Sequence, residues 1–434
     1  MSSECPQVLH RLESILPVHR VGDIGRHLIR LVDEFNTYTF PAGFGFDPFS
    51  VADVVAYLSS EDHYNLSLRK VRGKGILYGT IHAKLRRRFF NDLPIETRVA
   101  VIMPKLKHFK IDRHLRDFVG MRSQVPILDV EDIGMGHSVY RLSTPHGDLV
   151  VKQEDVPNQQ FYMEFQRALG YPWFRSKHYI GQRTWELTDY LGNSNLNEVL
   201  VEGAVPNWTY LIDQLAGHAA MGDVLGREDR HFENYVVQGP YILPVDTSML
   251  FGDGNEVWSE RYIAGGLYEI CVLGQFRNEP RLFRDYFTQF RNAYMSQLKQ
   301  LMERRSQIET LIGEFFDEDP INSHRCRYVR ERLENLAYPD AQFDRYRSAL
   351  EEMMMRRVVK QAISDRVSVD PSILARSPIL KMYYLADQGR VSTLFLLEYH
   401  RDAVMSALKA HQILSDAHRA QMTYDVDLLR MLPW

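Results

Sequence analysis

Cysteine is scarce: Cys5, Cys271 and Cys326 are the 3 in 434 residues. They are far apart and odd in number, so neither a disulfide framework nor a zinc-ligand cluster is expected, and a reducing compartment suits the chain. Long apolar runs are lacking too. No stretch approaches the roughly 20 apolar residues that span a bilayer, so no transmembrane segment is expected. The opening MSSECPQVLHRLESILPVHR does not set a cationic start before an apolar core as a secretory leader does. A cytoplasmic location is the expectation, with export by a route that uses no classical leader compatible with the same features. An excess of one charge is missing as well. The 52 Lys and Arg against 56 Asp and Glu leave a net charge of -4, which gives no global attraction for nucleic acid, so no nucleic-acid partner is expected. Internal repeats and low-complexity tracts are absent from the sequence.

What is present is an ordinary globular composition, 45% hydrophobic and 25% charged, long enough for two or three domains with a large core. Over residues 11–58 apolar positions recur at three- and four-residue steps around the loop FPAGFGFDPFS, which predicts an N-terminal helical cap. Between 127 and 154 the pattern shortens to ILDVEDI, SVYRLS and DLVVKQE, with TPHG before the last, and reads as a three-stranded meander. A helix is predicted over 159–169, strands over 178–180 and 184–187, and a polar link over 188–195. This order is that of a kinase small lobe. After the link, WTYLIDQLAGHAAMGDVL (208–225) reads as a buried helix. Two short strands follow, 235–237 and 241–245, joined by QGP and ending at Asp246. Over 281–316 the residues Phe283, Phe287, Phe290, Tyr294, Leu298 and Leu301 repeat at helical steps, and helical patterns continue to about 420. The fold class expected is α+β, a bilobal protein-kinase-like fold. Its parts are a mostly helical cap at 1–124, a small lobe at 125–190, a large lobe at 191–300 and a helical extension at 301–434.

Phosphoryl transfer requires phosphates held, charge neutralised by a metal and a hydroxyl aimed in line. A kinase meets these needs with a lysine on the third strand, a catalytic-loop aspartate, a metal-binding asparagine five residues later, and a second metal-binding aspartate after a β-hairpin. The chain supplies all four in that order. Lys152 lies in DLVVKQE, Asp229 and Asn234 lie in DRHFEN, and Asp246 ends YILPVD. A lysine in a strand is alone usually a solvated charge; the ordered set carries the reading. ATP with Mg²⁺ (or Mn²⁺) is the cofactor expected.

DRHFEN followed by a hairpin and Val-Asp resembles the catalytic core of the phosphatidylinositol 3- and 4-kinase-like superfamily, whose usual pattern is Asp-Arg-His-x-x-Asn and then Ile-Asp-Phe-Gly. The stretch GREDRHFENYVVQGPYILPVDTSMLF also resembles the kinase-like dehydratase domain of class II lanthipeptide synthetases. The two resemblances cover about 127–275. They imply Asp229 as the base, Asn234 and Asp246 as metal ligands, and Lys152 as the phosphate anchor. His231 then either supports the catalytic loop and contacts the transferred phosphate, or is a packed histidine satisfying a carbonyl. Arg230 is more a loop brace than a phosphate contact. Gly134, Gly136 and Ser138, in GMGHS between the first two strands, would present backbone N–H groups and a hydroxyl to the phosphates. Glu164 is the expected ion-pair partner of Lys152, with Glu154 as rival. Backbone groups from Asp189 to Leu191 would meet the adenine, between apolar walls at Leu187 and Ile133.

Departures limit what carries over. Asp-Phe-Gly becomes Asp246-Thr247-Ser248, and the glutamate that the lanthipeptide enzymes place two residues after the aspartate is Ser248 here. Nothing after Asp246 supplies the Cys/His zinc set of their cyclase, so a complete lanthipeptide synthetase is excluded. A phosphoinositide kinase would present lysines and arginines after Asp246, and TSMLFGDGNEVWSERYIAGGLYE offers only Arg261. A protein or peptide acceptor is therefore favoured over a phosphoinositide lipid; a kinase-fold pseudoenzyme, or one repurposed for nucleotidyl transfer or dehydration, is the third reading. RCRYVRERL (325–333) either turns arginines toward an anionic substrate or pairs along the helix surface with Glu331 and Glu334.

Overall fold

The short Val-, Leu- and Ile-rich runs form one antiparallel sheet. The structure, a computed structural model, describes residues 90–434 apart from 92–93, 135–138, 155, 181–183, 193, 206, 229, 248, 253–268, 378–379 and 381–403. The helices expected over 11–58, and Gly136, Ser138, Asp229 and Ser248, lie outside the described residues. The chain divides into two compact units. Described residues up to Pro157, with Arg175–Tyr190 and part of Pro371–Ala407, belong to the first; Asn158–Phe174, Leu191–Asp370 and Leu408–Trp434 belong to the second.

Among the described residues the first unit holds the helices α1 (Ile95–His108) and α2 (Ile111–Val119), a one-turn helix at Ile373–Arg376, and the strands β1 (Asp129–Asp132), β2 (Val139–Thr144), β3 (Gly147–Gln153), β4 (Ser176–Tyr179) and β5 (Trp185–Asp189). Their order in the sheet is β1-β2-β3-β5-β4, and every neighbouring pair is antiparallel. Side chains alternate across a strand, so Val130, Tyr140, Leu142, Leu149, Val151, Trp185 and Leu187 all face one side, where Leu106, Phe109, Ile111 and Leu115 cover them. Phe109 stacks on Trp185 at 5.0 Å between centroids. Burying each such side chain contributes about 1.5–3 kcal/mol, which is why α1 and α2 lie on this face. Arg98 of α1 reaches Asp129 of β1 at 2.8 Å and ties the helix to the sheet edge. Gly120 ends α2 in the left-handed conformation that a side chain would strain.

The second unit is mainly helical. It contains α3 (Asn158–Leu169), α4 (Leu196–Glu202), α5 (Trp208–Leu225) and a hairpin of β6 (Tyr235–Gln238) and β7 (Tyr241–Pro244). A 3-10 segment, Glu269–Phe276, precedes α6 (Pro280–Glu303), α7 (Arg305–Phe316), α8 (His324–Leu336), α9 (Asp340–Val369) and α10 (Asp416–Arg430). The α5 helix is apolar on nearly all sides and buried from Gln214 through Leu225 without a break, as such a helix must be. Asn207 caps its start by accepting the Tyr210 N–H. Asn195 and Glu198 form a reciprocal capping box on α4. The aromatic stripe of 281–316 is buried as its spacing predicts, and the run is made of two helices divided at Arg304. An antiparallel sheet with helices on one face and a mainly helical second unit make the class α+β.

Candidate functional site

Lys152 lies on the sheet face opposite the one that α1 and α2 cover, because it alternates with Leu149 and Val151 along β3. It stands directly across from Glu186 of β5. Its ammonium lies 3.0 Å from Glu154 and 3.8 Å from Glu186. Glu164, in the second unit, is paired with Arg167, one turn along its own helix. Within the first unit, Lys152 thus meets Glu154, the expected rival, just past the end of β3, and Glu186 across the ladder. Glu186 is fully buried and also accepts the Ser176 hydroxyl at 2.5 Å. A carboxylate inside the apolar-flanked strand WELTD is unusual unless paired, and that is the signal that could have found it.

The same register corrects one apolar wall. Leu187 pairs with Val151, not Lys152, and is buried in the core beneath α1 and α2. Four backbone donors near the expected nucleotide contacts are engaged within the fold. The Gly134 N–H donates to the Asp132 carboxylate at 3.0 Å, and the Asp132 N–H to the Asn91 side chain at 2.9 Å. The Asp189 N–H donates to the Arg175 carbonyl, and the Tyr190 N–H to that of Asp148. Arg175 also grips the Asp189 carboxylate at 2.7 Å. The N–H groups of Gly134, Asp189 and Tyr190 are thus engaged within the fold.

In the second unit, β6 and β7 turn a separation of 12 residues in sequence into adjacency. Asn234 ends a short 3-10 turn, Phe232–Asn234, closed by its N–H donating to the His231 carbonyl at 2.9 Å. Tyr235 pairs with Pro244, and just beyond that pair the Val245 N–H donates to the Asn234 carbonyl at 2.9 Å. Asp246, the next residue, is exposed and has φ 56. That is left-handed backbone, which aspartate tolerates better than most residues but which still marks strain. The hairpin so brings the backbone of Asp246 next to that of Asn234, whose side chains are a carboxylate and a carboxamide, hard oxygen donors of the kind that Mg²⁺ or Mn²⁺ takes together with phosphates. Among the described residues no group of three or more His, Cys, Asp or Glu side chains is arranged to hold a metal. His231 is half-buried.

Beneath this turn lies a buried charged network. Arg230, which follows Asp229, donates to the Asp223 carboxylate at 2.9 Å and lies 3.7 Å from Glu269. Burial alone would lower its pKa, but Glu269 and Asp223 hold it well above the usual value. Arg230 is a brace, as expected. Asp223 further accepts the hydroxyls of Tyr294 at 2.9 Å and Tyr346 at 2.6 Å. Arg227 donates to the Tyr235 hydroxyl at 2.9 Å and to the Val245 carbonyl at 3.3 Å. Tyr235 in turn donates to Glu269 at 2.5 Å. Burial raises the Glu269 pKa, against the pull of Arg230 and Tyr235. The Glu228 N–H reaches the Met249 carbonyl, and the Phe251 N–H that of Leu225. The segment just before Asp229 and the one after Asp246 are thus fastened to one another. Asp223 and Glu269 sit in apolar runs, where a carboxylate again needs a partner; that was the legible signal for them. Of the arginines of 325–333, Arg330 pairs with Glu309 of α7 at 3.1 Å and Arg325 with Glu318 in the turn after it, while Arg327 and Arg332 donate to the carbonyls of Asn322 and Asp223.

No described protein family matches the chain, and no curated protein does. Among solved structures it is similar to the pseudokinase domain of BIR2, an immune regulator of the RLK/Pelle family, at 14% identity and a TM-score of 0.24, over 55% of this chain and 90% of that one. At that identity and score the likeness carries no argument.

Proposed function

We propose that this chain is an ATP-dependent phosphotransferase with a bilobal, kinase-like core that moves the γ-phosphate to a hydroxyl on a protein or peptide. The observation that supports it most is the hairpin adjacency: the Val245 N–H on the Asn234 carbonyl at 2.9 Å puts Asp246 next to Asn234, the pair that a kinase uses to hold its metal ions. In this reading Asn234 and Asp246 hold Mg²⁺, which neutralises phosphate charge. Lys152 anchors the α/β-phosphates, and Asp229 accepts the proton of the attacking hydroxyl. His231 flanks the acceptor. Arg230 holds the backbone of the loop so that Asp229 and Asn234 keep a fixed separation. The basic poverty of the sequence after Asp246 favours a protein or peptide over a phosphoinositide head group.

The test is a transfer assay with γ-labelled and α-labelled ATP, Mg²⁺, and a panel of purified proteins, phosphatidylinositol vesicles and the chain itself as acceptors. The γ-label is expected on protein with wild type. Asp229→Asn is expected to lose transfer by about 10²–10⁴-fold while binding Mg-ATP nearly normally, as for removal of a general base. Labelling from the α-position, equal γ-transfer by both proteins, or no transfer by wild type would each overturn the proposal.

A further inference from the structure

Asp246 is held in its left-handed conformation by neighbours that are themselves gripped from one side chain. Gln159, in the first turn of α3 and 2% exposed, accepts the Thr247 N–H at 2.9 Å and the Thr247 hydroxyl at 3.0 Å through one oxygen. Its nitrogen donates to the Pro244 carbonyl at 3.4 Å. Only one orientation of the amide satisfies all three contacts. The residue after Asp246 and the residue two before it are therefore tied to the same group. Between them, Val245 is fixed by Asn234 and by Arg227. A residue at φ 56 persists in that conformation only where its surroundings over-determine it, and these contacts do so.

We infer that Gln159 is a positioning residue that sets the backbone of Asp246 and thereby its carboxylate toward the metal. The inference rests on the phosphotransferase reading. It deepens that reading by making α3, through one amide, the element on which metal affinity depends. The same hairpin provides an internal control. Gln214 of α5, 7% exposed, grips the turn end, accepting the Ile242 N–H at 3.0 Å and donating to the Pro240 carbonyl at 2.8 Å. Both glutamines hold β7, but only Gln159 holds the residues on each side of Asp246.

The experiment compares Gln159→Leu and Gln214→Leu in the full chain, measuring the Mg²⁺ concentration for half-maximal γ-phosphate transfer at saturating ATP, together with thermal midpoints. Both variants should melt lower. Gln159→Leu should need about tenfold more Mg²⁺ or more, the equivalent of about 1.4 kcal/mol, whereas Gln214→Leu should stay within about twofold by the same scale. A purely structural role would move both alike, or neither, and either result overturns the inference while leaving the phosphotransferase reading standing. No transfer by wild type would instead remove that reading and this inference with it. If Gln159→Leu fails to fold, Thr247→Val removes the hydroxyl bond alone and should still raise the Mg²⁺ requirement; an unchanged requirement in Thr247→Val overturns the inference.

Discussion

Two carboxylates and one ammonium meet at Lys152, and their burial is unequal. Glu186 has no exposed side-chain surface, while Lys152 keeps 13% and Glu154 14%. A charge taken fully out of water needs its partners, and removing one of them costs more than the pair itself contributes. Lys152→Met should therefore destabilise the chain by about 3 kcal/mol by leaving Glu186 short of its cation. Adding Glu186→Gln to it should recover a large part of that loss, with a coupling of about 1 kcal/mol or more in a double-mutant cycle followed by urea unfolding. Strictly additive losses would show that the ion pair contributes nothing at this face. At Asp246 the relevant quantity is conformational rather than electrostatic. The left-handed backbone is tolerable for aspartate and unfavourable for a β-branched residue, so its identity is constrained by φ as well as by the carboxylate.

The helix α5 shows how an element carries a site it does not itself form. Its glycines are places of close approach: a Cβ on Gly222 would lie 2.7 Å from the Arg230 Nη1 and 3.1 Å from its Cδ. Arg230 cannot swing aside without leaving Asp223 and Glu269, both buried, short of their partner. Gly222→Ala gains about 1 kcal/mol of helix propensity and loses about 1–3 kcal/mol to overpacking, to which the disturbed ion pairs add. The loss wins. The expected result is a net destabilisation of about 2 kcal/mol, read from the denaturant midpoint. A more stable Gly222→Ala would mean that the brace yields freely. Helices α6 and α9 matter to the same loop, since they supply Tyr294 and Tyr346 to Asp223.

For the molecule as a whole, the buried histidine of α5 sets a pH dependence. His218 is held neutral, its pKa lowered to about 3 by burial first and by Arg227 second. Its Nε2 donates to the Ile242 carbonyl at 3.1 Å, and its Nδ1 faces the Gln166 amide at 3.3 Å. The unfolded chain protonates this ring near pH 6.5. Between about 6.5 and 3 the unfolded state holds one proton more, so the contribution is fully present above 6.5 and is lost as pH falls. The slope is at most about 1.4 kcal/mol per pH unit. His114 is lowered as well, mainly by burial, and acts in the same direction. Thermal midpoints followed from pH 6.5 to 4.5 should fall more steeply for wild type than for His218→Gln. Equal slopes would mean that His218 is protonated in the folded protein.

Local pattern was enough to give the five strands, the helix over 159–169, the buried helix over 208–225 and the hairpin after it, and to single out the four residues on which the phosphotransferase reading rests; the short helix Leu196–Glu202 was not legible. Strand alternation in SVYRLS, the aromatic stripe from Phe283 to Leu301 and the QGP turn are all written in side chains a few residues apart. The hairpin that joins Asn234 to Asp246 was legible for the same reason: the turn and its two flanking strands are contiguous, so spacing alone implies adjacency. Which groups those residues meet was left to long-range packing. Glu154 and Glu186 stand at Lys152, Leu187 turns into the core, and the amides of Gly134 and Asp189 bond to Asp132 and Arg175. Gln159 and Gln214 carry no mark in sequence, because a glutamine that faces water and one that grips a hairpin are written alike. Gln159 bonds to Thr247 across 88 residues, and a contact of that range depends on how a helix seats against a strand, which no local window contains.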